Sequence, residues 1–228
     1  MKFDMTGINV MLAMPTHRDI PPEVVRSLLE TQDTLIRRGI PLTIEMQAGS
    51  SLVQHARSKA AHRFLQSDCT RLFWVDSDIV WSSEHLLRLL ALSVDLEVVC
   101  GAYPAKSEPV QFVLSVADPS KPVQTDKYGC IEVNGLGLGF ACIQRRVIER
   151  LAEKAPLALF PDVPDGPIPY IFRCDVHDGT ARGEDMAFFA DVRALGYAVK
   201  IDPIIALGHI GPKQYRASFS SCLTQTST

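Results

Sequence analysis

The sequence lacks a Cys-x-x-Cys pair among its six cysteines, and it lacks any apolar run long enough to cross a membrane. A membrane-spanning helix needs roughly 18 consecutive apolar residues, and the polar residues 1–5 are too short for a secretory signal. Cysteines spread widely along a chain indicate neither a zinc cluster nor a disulfide framework. We therefore expect no integral membrane segment, reduced structural thiols and a cytoplasmic location.

The sequence also lacks a strong excess of charge of either sign. Its formal net charge of -3 gives no broad attraction to polyanions, so nucleic acid is not the expected partner. With 228 residues, of which 46% are hydrophobic and 21% are charged, the chain has the size and balance of one globular domain with a substantial core.

Up to Gly101, short apolar segments alternate with amphipathic segments. The former have the length of buried strands, and the latter repeat their apolar residues at helical spacing. The predicted strands cover residues 8–14, 42–46, 72–75 and 97–100, and the predicted helices lie within residues 21–39, 51–66 and 83–92. This alternation predicts an α/β fold with a mostly parallel central sheet flanked by helices on both faces.

After Gly101 the alternation gives way to a smaller α+β half. Strands are predicted at residues 110–114, 130–133 and 197–201, and helices at 145–153 and 186–195. Five prolines between residues 156 and 169 interrupt a long connection, and a connection of this length is usually a functional loop or a mobile lid. Residues 213–228 are rich in Ser and Thr and are expected to form a flexible tail.

Two carboxylates, Asp76 and Asp78, follow the predicted strand 72–75. Ligands bind at the carboxyl ends of strands in open α/β sheets. If the backbone stays extended, residues i and i+2 face the same way, and both carboxylates converge on one hard cation that bridges the phosphates of a nucleotide. Aspartates also cap helices, but Ser82 and Ser83 already occupy the capping positions, which favours the metal hypothesis.

Four short motifs occur in a definite order. They are Met14-Pro15-Thr16, Ala56-Arg57-Ser58-Lys59-Ala60-Ala61, Asp76-Ser77-Asp78, and Gly183-Glu184-Asp185 followed by His209. In this order they resemble the GT-A glycosyltransferases, especially the inverting family-2-like enzymes, over residues 8–211. The resemblance implies a single GT-A-like, Rossmann-like domain over residues 1–212, with a nucleotide-binding half near 1–101 and an acceptor-side half at 102–212.

The resemblance also implies a nucleotide-sugar site, whose candidate residues are Pro15, Thr16, Arg18, Glu45, Arg57, Asp76 and Ser77. The first three would line the pocket for the base and ribose. Arg57 would lie near the base or the diphosphate, to which a guanidinium offers forked donors, but an ordinary solvated helix charge explains it equally well. Glu45 would contact the nucleoside, or it is simply a surface acid.

The same resemblance implies the residues that carry the chemistry. Asp185 would be the general base that accepts the proton of an acceptor hydroxyl, with Glu184 as the neighbouring candidate. Acids in a first helical turn are also common because they complement the helix dipole. His209 would complete a metal site with Asp76 and Asp78, although lone histidines are often structural. Imidazole beside two carboxylates suits Mn²⁺, with Mg²⁺ as the alternative cation.

The expected function is therefore metal-dependent transfer of a sugar from a UDP- or GDP-sugar to a glycan, a lipid-linked acceptor or another hydroxyl acceptor, with inversion. A nucleotidyltransferase is an alternative, but residues 14–18 contain no glycine of a phosphate-binding loop. A non-catalytic nucleotide-sugar-binding module is a second alternative, because such a module would bind the donor without transferring the sugar.

Residues 134–139 superficially resemble a dinucleotide-binding glycine loop, but a strand-like segment follows them where that loop would open a helix. We expect these glycines either to permit close backbone approach near the sugar or acceptor or to form a plain turn. Two tryptophans flank the acid pair. Trp74 is predicted in the core, whereas Trp81 is expected either to pack or to offer a sugar-stacking surface.

Overall fold

The computed structural model describes residues 3–117 and 119–223. Its strands are β1 (Val10–Thr16), β2 (Leu42–Ala48), β3 (Arg71–Val75), β4 (Ile79–Val80), β5 (Val98–Cys100), β6 (Leu114–Ser115), β7 (Ile131–Val133), β8 (Gly135–Leu136), β9 (Phe140–Gln144), β10 (Leu157–Ala158), β11 (Ile168–Pro169), β12 (Asp175–His177), β13 (Thr180–Arg182), β14 (Val199–Ile201), β15 (Ala206–Ile210) and β16 (Gln214–Ser218). Its helices are α1 (Pro22–Arg37), α2 (Val53–Gln66), α3 (Ser83–Leu92), α4 (Arg145–Lys154) and α5 (Glu184–Ala194), with a short 3-10 helix at Phe219–Cys222.

Seven strands form the central sheet in the order β2-β1-β3-β9-β5-β14-β7. Five of them run in one direction, while β9 and β7 are antiparallel to their neighbours. The predicted α/β fold with a mostly parallel sheet is therefore confirmed. The carboxyl ends of β1, β3 and β5 consequently meet at one edge of the sheet.

Helices cover both faces of the sheet, as the alternation of segments predicts. Leu72 and Trp74 of β3 belong to the core that packs against α2, α4 and α5, whereas Phe73 and Val75 belong to the core that packs against α1 and α3. Successive strand residues point to opposite faces, so a fully apolar strand is what a sheet buried on both sides requires. This packing fixes the end of β3, where the acid pair begins.

The two tryptophans are both buried. Trp74 is in the core as predicted, and Trp81 is only 3% exposed. The Trp81 indole donates its Nε1 hydrogen to the Thr31 hydroxyl at 2.8 Å, and its ring packs at an angle against Phe140. The alternative in which Trp81 offers a sugar-stacking surface is therefore wrong, because its ring is enclosed between α1 and the sheet.

Residues 214–222 form a strand and a 3-10 helix, whereas the sequence predicts a flexible tail over residues 213–228. Strand β16 pairs antiparallel with β15, and the 3-10 helix follows it directly. The polar composition had suggested loose order, but β15 offers a free edge whose backbone groups need hydrogen-bond partners. Residues 224–228 of the predicted tail lie outside the described residues.

Among the residues that the structure describes, no helix combines the length and the apolar character needed to cross a bilayer.

Ser82 caps α3, in agreement with the sequence. Its side chain accepts a hydrogen bond from the backbone N–H of His85 at 3.3 Å. We expect Ser82→Ala to lower the free energy of unfolding by about 1 kcal/mol, because a helix N–H loses its partner. Urea denaturation measures this difference. Ser83→Ala is the matched control, since Ser83 begins the helix without capping it; equal losses in the two variants would contradict the capping role.

Candidate active site

A pocket of about 450 Å³ opens at the edge of the sheet where β1 and β3 end. The first strand, the start of α2, the acid pair, the start of α5 and strand β15 all contribute to it. Its walls are formed by Pro15, Thr16, His17, Ser50, Ser51, Val53, Ala56, Arg57, Asp76, Ser77, Asp78, Tyr103, Glu184, Asp185 and His209. Residues far apart in the sequence thus converge where the parallel strands terminate, as the topology requires.

Arg57 lies at the centre of the acidic side of this pocket. Its side chain is 2% exposed, and its Nη2 donates to Asp76 Oδ1 at 2.9 Å. Its Nη1 donates to Glu184 Oε1 at 3.2 Å and also to Asp185. The alternative of a solvated helix charge is therefore wrong. The guanidinium instead joins the end of β3 to the first turn of α5.

Burial and charge act against each other in this cluster. Burial lowers the pKa of Arg57, but the carboxylates of Asp76, Asp185 and Glu184 raise it by more, so the guanidinium stays charged. Burial raises the pKa of Asp76, and Arg57 offsets only part of that rise. Burial and the charge of Asp185 likewise raise the pKa of Glu184. The neutral acid forms of Asp76 and Glu184 are thus more accessible than they would be in water.

Asp78 belongs to a second cluster on the other side of the acid pair. Its Oδ2 accepts a hydrogen bond from Lys106 Nζ at 2.6 Å and lies 3.4 Å from His209 Nε2. Burial raises the pKa of Asp78, but the hydrogen bonds and charges of His209 and Lys106 outweigh it and hold the pKa below its usual value. Asp78 is therefore an ionised carboxylate at neutral pH.

His209 is fixed by strand pairing. Strand β15 pairs with β4, which opposes His209 to Ile79, and the N–H of Ile210 donates to the carbonyl of Asp78 at 2.8 Å. The ring nitrogen Nδ1 lies 2.9 Å from the carbonyl oxygen of Pro104. A carbonyl only accepts, so Nδ1 carries the hydrogen, and Nε2 is the nitrogen presented to Asp78.

The two acids do not converge on one point, which corrects the expectation from their spacing. The chain turns directly after β3, with the N–H of Ile79 donating to the carbonyl of Asp76 at 3.1 Å. The assumption of an extended backbone is therefore wrong, and Asp76 faces Arg57 while Asp78 faces Lys106 and His209. Among the described residues, no group of three or more His, Cys, Asp or Glu side chains is arranged to hold a metal ion. The set of Asp76, Asp78 and His209 is thus not assembled in this state.

Tyr103 is a pocket residue that the sequence analysis missed. It follows β5 by three residues, at the same edge as the acid pair, and its ring packs edge-on against His209 with 5.1 Å between centroids. Burial and the charges of Asp76 and Asp185 raise the pKa of Tyr103 well above its usual value, so the phenol remains a donor. Its position just beyond β5, a strand that runs parallel to β3 in the same sheet, was the available signal.

The glycines before β9 permit this arrangement. A side-chain carbon at Gly137 would lie 2.1 Å from Tyr103 Oη, and one at Gly139 would lie 2.7 Å from Asp76 Oδ2. Real carbon atoms do not approach so closely, so only glycine leaves room for Tyr103 and Asp76 here. The groups that approach Gly137 and Gly139 are side chains of the pocket, and close backbone approach to a bound sugar or acceptor stays a prediction.

Not every predicted nucleotide residue reaches the pocket. Pro15, Thr16 and Ser77 line it, whereas Arg18 is exposed and does not. Glu45 also lies outside the lining, where it accepts hydrogen bonds from Gln47 and Arg63. Both residues lie on or just after a strand, but a position near a strand end does not fix the direction in which a long side chain points.

Thr16 has an unused hydrogen-bonding group. The residue is 7% exposed, and its hydroxyl has no hydrogen-bond partner within the described part of the chain. Buried hydroxyl groups are normally paired. Its place in the pocket wall makes it a candidate contact for a polar ligand.

The proline-rich connection does not cover the pocket. Its residues pack on α2, where Asp162 accepts from Lys59 at 2.6 Å and Asp165 lies 3.1 Å from His62. No residue from 155 to 170 lines the pocket. Within the described residues the connection therefore does not cover the pocket, because these contacts hold it on another side of α2, and its role as a functional loop or mobile lid stays a prediction.

No protein-family model matches the sequence, and a search of curated proteins gives no match. Solved structures do match. A197 from STIV is 19% identical, with a TM-score of 0.57 over 93% of this chain and 91% of that chain. GalNAc-T7 with UDP, GalNAc and Mn²⁺ is 12% identical, with a TM-score of 0.54 over 95% of this chain. The match spans 45% of the GalNAc-T7 chain. The fold is GT-A-like.

We expect Arg57→Met to lower the free energy of unfolding at pH 7 by about 3 kcal/mol, because partly buried carboxylates lose their counter-ion. The loss should shrink as the pH falls towards about 4. Without Arg57 the folded-state pKa values of Asp76 and Glu184 rise further above their unfolded values, so the folded state binds protons first and gains stability as the pH falls. Urea denaturation at several pH values measures both effects.

Arg63→Met is the control, because Arg63 lies on the same helix with its side chain 50% exposed and pairs with Glu45. The decrease in the free energy of unfolding of Arg63→Met should stay below about 1 kcal/mol and vary little with pH. A loss in Arg57→Met that is constant with pH would contradict the electrostatic role of Arg57.

Proposed function

We propose that the chain is a divalent-cation-dependent glycosyltransferase, which moves a sugar from a nucleoside-diphosphate sugar to an acceptor hydroxyl with inversion. The observation that carries this proposal is the charge of the pocket. Four carboxylates, those of Asp76, Asp78, Glu184 and Asp185, line it together with one guanidinium. A diphosphate alone would be repelled from such a surface, so a pocket that accepts it needs an additional cation.

The chemistry of Asp78 and His209 fits such a cation. With the hydrogen on Nδ1, His209 would bind a cation through Nε2 in place of the Nε2 hydrogen, beside the Asp78 carboxylate oxygen that lies 3.4 Å away. A metal-bound histidine commonly donates its other ring hydrogen to a carbonyl in this way. Asp78 and His209 would hold the ion, with Asp76 as the third candidate, and this donor set suits Mn²⁺ or Mg²⁺.

The similarity to GalNAc-T7 supports the same substrate class, since that structure contains UDP, GalNAc and Mn²⁺ on a related fold. When bound, a divalent cation neutralises the charge that grows on a departing diphosphate. We assign the donor as a UDP- or GDP-sugar, with the Thr16 hydroxyl and the wall around Pro15 contacting the nucleoside. The acceptor is a hydroxyl group of a glycan, a lipid-linked sugar or another compound.

Asp185 is the residue that we assign as general base. Its carboxylate takes the proton of the acceptor hydroxyl while that oxygen bonds to the anomeric carbon, and the bond from this carbon to the diphosphate oxygen breaks. Glu184 shares Arg57 Nη1 with Asp185 and is the neighbouring candidate. Asp185 is favoured because its side chain is the more exposed, at 25% against 17%. Arg57 orients both carboxylates.

A thermal-shift experiment tests the ligand class. UDP or GDP at 100 times its dissociation constant, with Mn²⁺, should stabilise the protein by roughly 2.7 kcal/mol, which is roughly 5 to 11 °C for a chain of this size. Without Mn²⁺ the shift should be small, and Asp78→Asn should abolish the dependence on Mn²⁺.

Asp162→Asn is the matched control, since Asp162 is an exposed acid outside the pocket. Equal shifts with and without Mn²⁺, or full metal-dependent transfer by Asp78→Asn, would reject the role of Asp78 as a ligand of the cation.

A second experiment separates a transferase from a non-catalytic binding module. We expect Asp185→Asn to keep the Mn²⁺-dependent nucleotide shift but to lower the rate of sugar transfer at least about 100-fold, because a general base contributes that much or more. Radiolabelled donor measures hydrolysis and transfer. If the unmodified protein binds the donor but neither hydrolyses nor transfers it with any acceptor class, the chain is a binding module.

A further inference from the structure

Lys106 forms an ion pair with Asp78, the carboxylate that would bind the proposed cation. Its ammonium nitrogen lies 2.6 Å from Asp78 Oδ2, and the same oxygen is 3.4 Å from His209 Nε2. The oxygen therefore already has a positively charged neighbour in the ligand-free protein. An ammonium and a divalent cation cannot both sit at contact distance from one carboxylate oxygen without strong mutual repulsion.

Two features of the structure place Lys106 beside Asp78. Its segment folds back on itself, with the N–H of Ala105 donating to the carbonyl of Gln111 at 2.7 Å and a bridge between Pro104 and Phe112. A side-chain carbon at Gly211 would lie 3.1 Å from Lys106 Cδ, so this glycine leaves room for the lysine stem. The same segment supplies the Pro104 carbonyl that orients His209.

The Lys106 side chain is also able to move away from Asp78. Lys106 is 37% exposed on its side chain, and its four-carbon stem ends in a compact charge that rotates readily. Lysine is a common phosphate ligand. A diphosphate that arrives beside Asp78 would offer Lys106 new anionic partners within reach of its present position.

We propose that Lys106 gates the cation site: it pairs with Asp78 while the pocket is empty, opposes binding of a divalent cation on its own, and transfers to the diphosphate when nucleotide and cation bind together. This inference rests on the proposed function, because it takes Asp78 and His209 as the ligands of the cation. Cation and nucleotide then bind cooperatively, and each raises the affinity for the other by the same factor.

The test is a titration of the full chain with MnCl₂ alone at pH 7, in which electron paramagnetic resonance counts the free Mn²⁺. We expect Lys106→Met to bind Mn²⁺ about tenfold more tightly than the unmodified protein, because an ion pair and a repulsive charge are both removed. Lys106→Arg keeps the charge and should stay within about twofold of the unmodified protein. A second titration with excess UDP, and a parallel one with GDP, measures the cooperativity, which should fall in Lys106→Met.

Lys213→Met is the matched control. It removes the same charge nearby, but Lys213 pairs with Glu108 and not with Asp78. If Lys106→Met binds Mn²⁺ no better than the unmodified protein, or if Lys213→Met gains as much, the gate is refuted. The proposed function fails by a different result: neither UDP nor GDP binds in the presence of Mn²⁺, whatever is seen with Mn²⁺ alone.

Discussion

The buried guanidinium of Arg57 is the constraint on which the pocket depends. A charge removed from water is tolerated only when close partners replace its hydration, and Arg57 finds them in Asp76, Glu184 and Asp185. The same contacts tie α2 to the end of β3 and to the first turn of α5. Three carboxylates would repel one another without this cation, so the arrangement of the acids and the position of Arg57 determine each other.

The fold was largely predictable from the sequence, because its signals are local. Strand β3 is apolar at every position after Arg71, as burial on both faces demands, and α1 and α3 show their apolar residues at helical spacing. The place of strand β9 in the sheet could not be predicted in this way. Its five residues indicate a buried strand, but only the folded sheet shows that they run antiparallel between β3 and β5.

The residues that line the site were largely predictable, but the contacts between them were not. The motif order identified Arg57, Asp76, Asp78, Asp185 and His209, all of which line the pocket. Their partners were not predictable, because a turn after β3 sends two acids that are two positions apart to different partners. Tyr103 and Lys106 carry no motif, and only the proximity of β5 to β3 brings them to the acids. Arg18 and Glu45, which the resemblance implied, do not line the pocket, and their contact with a nucleotide stays a prediction.

Strand β9 has a consequence for how the chain can be divided. It comes from the second half of the sequence, yet it supplies all the hydrogen bonds that join β3 to β5, two strands of the first half. A fragment that ended at residue 101 would leave these two strands about 9.6 Å apart with nothing between them. Residues up to 101 and the residues after them therefore cannot be separate folding units, and the protein should melt as one cooperative body in which neither part retains its shape alone.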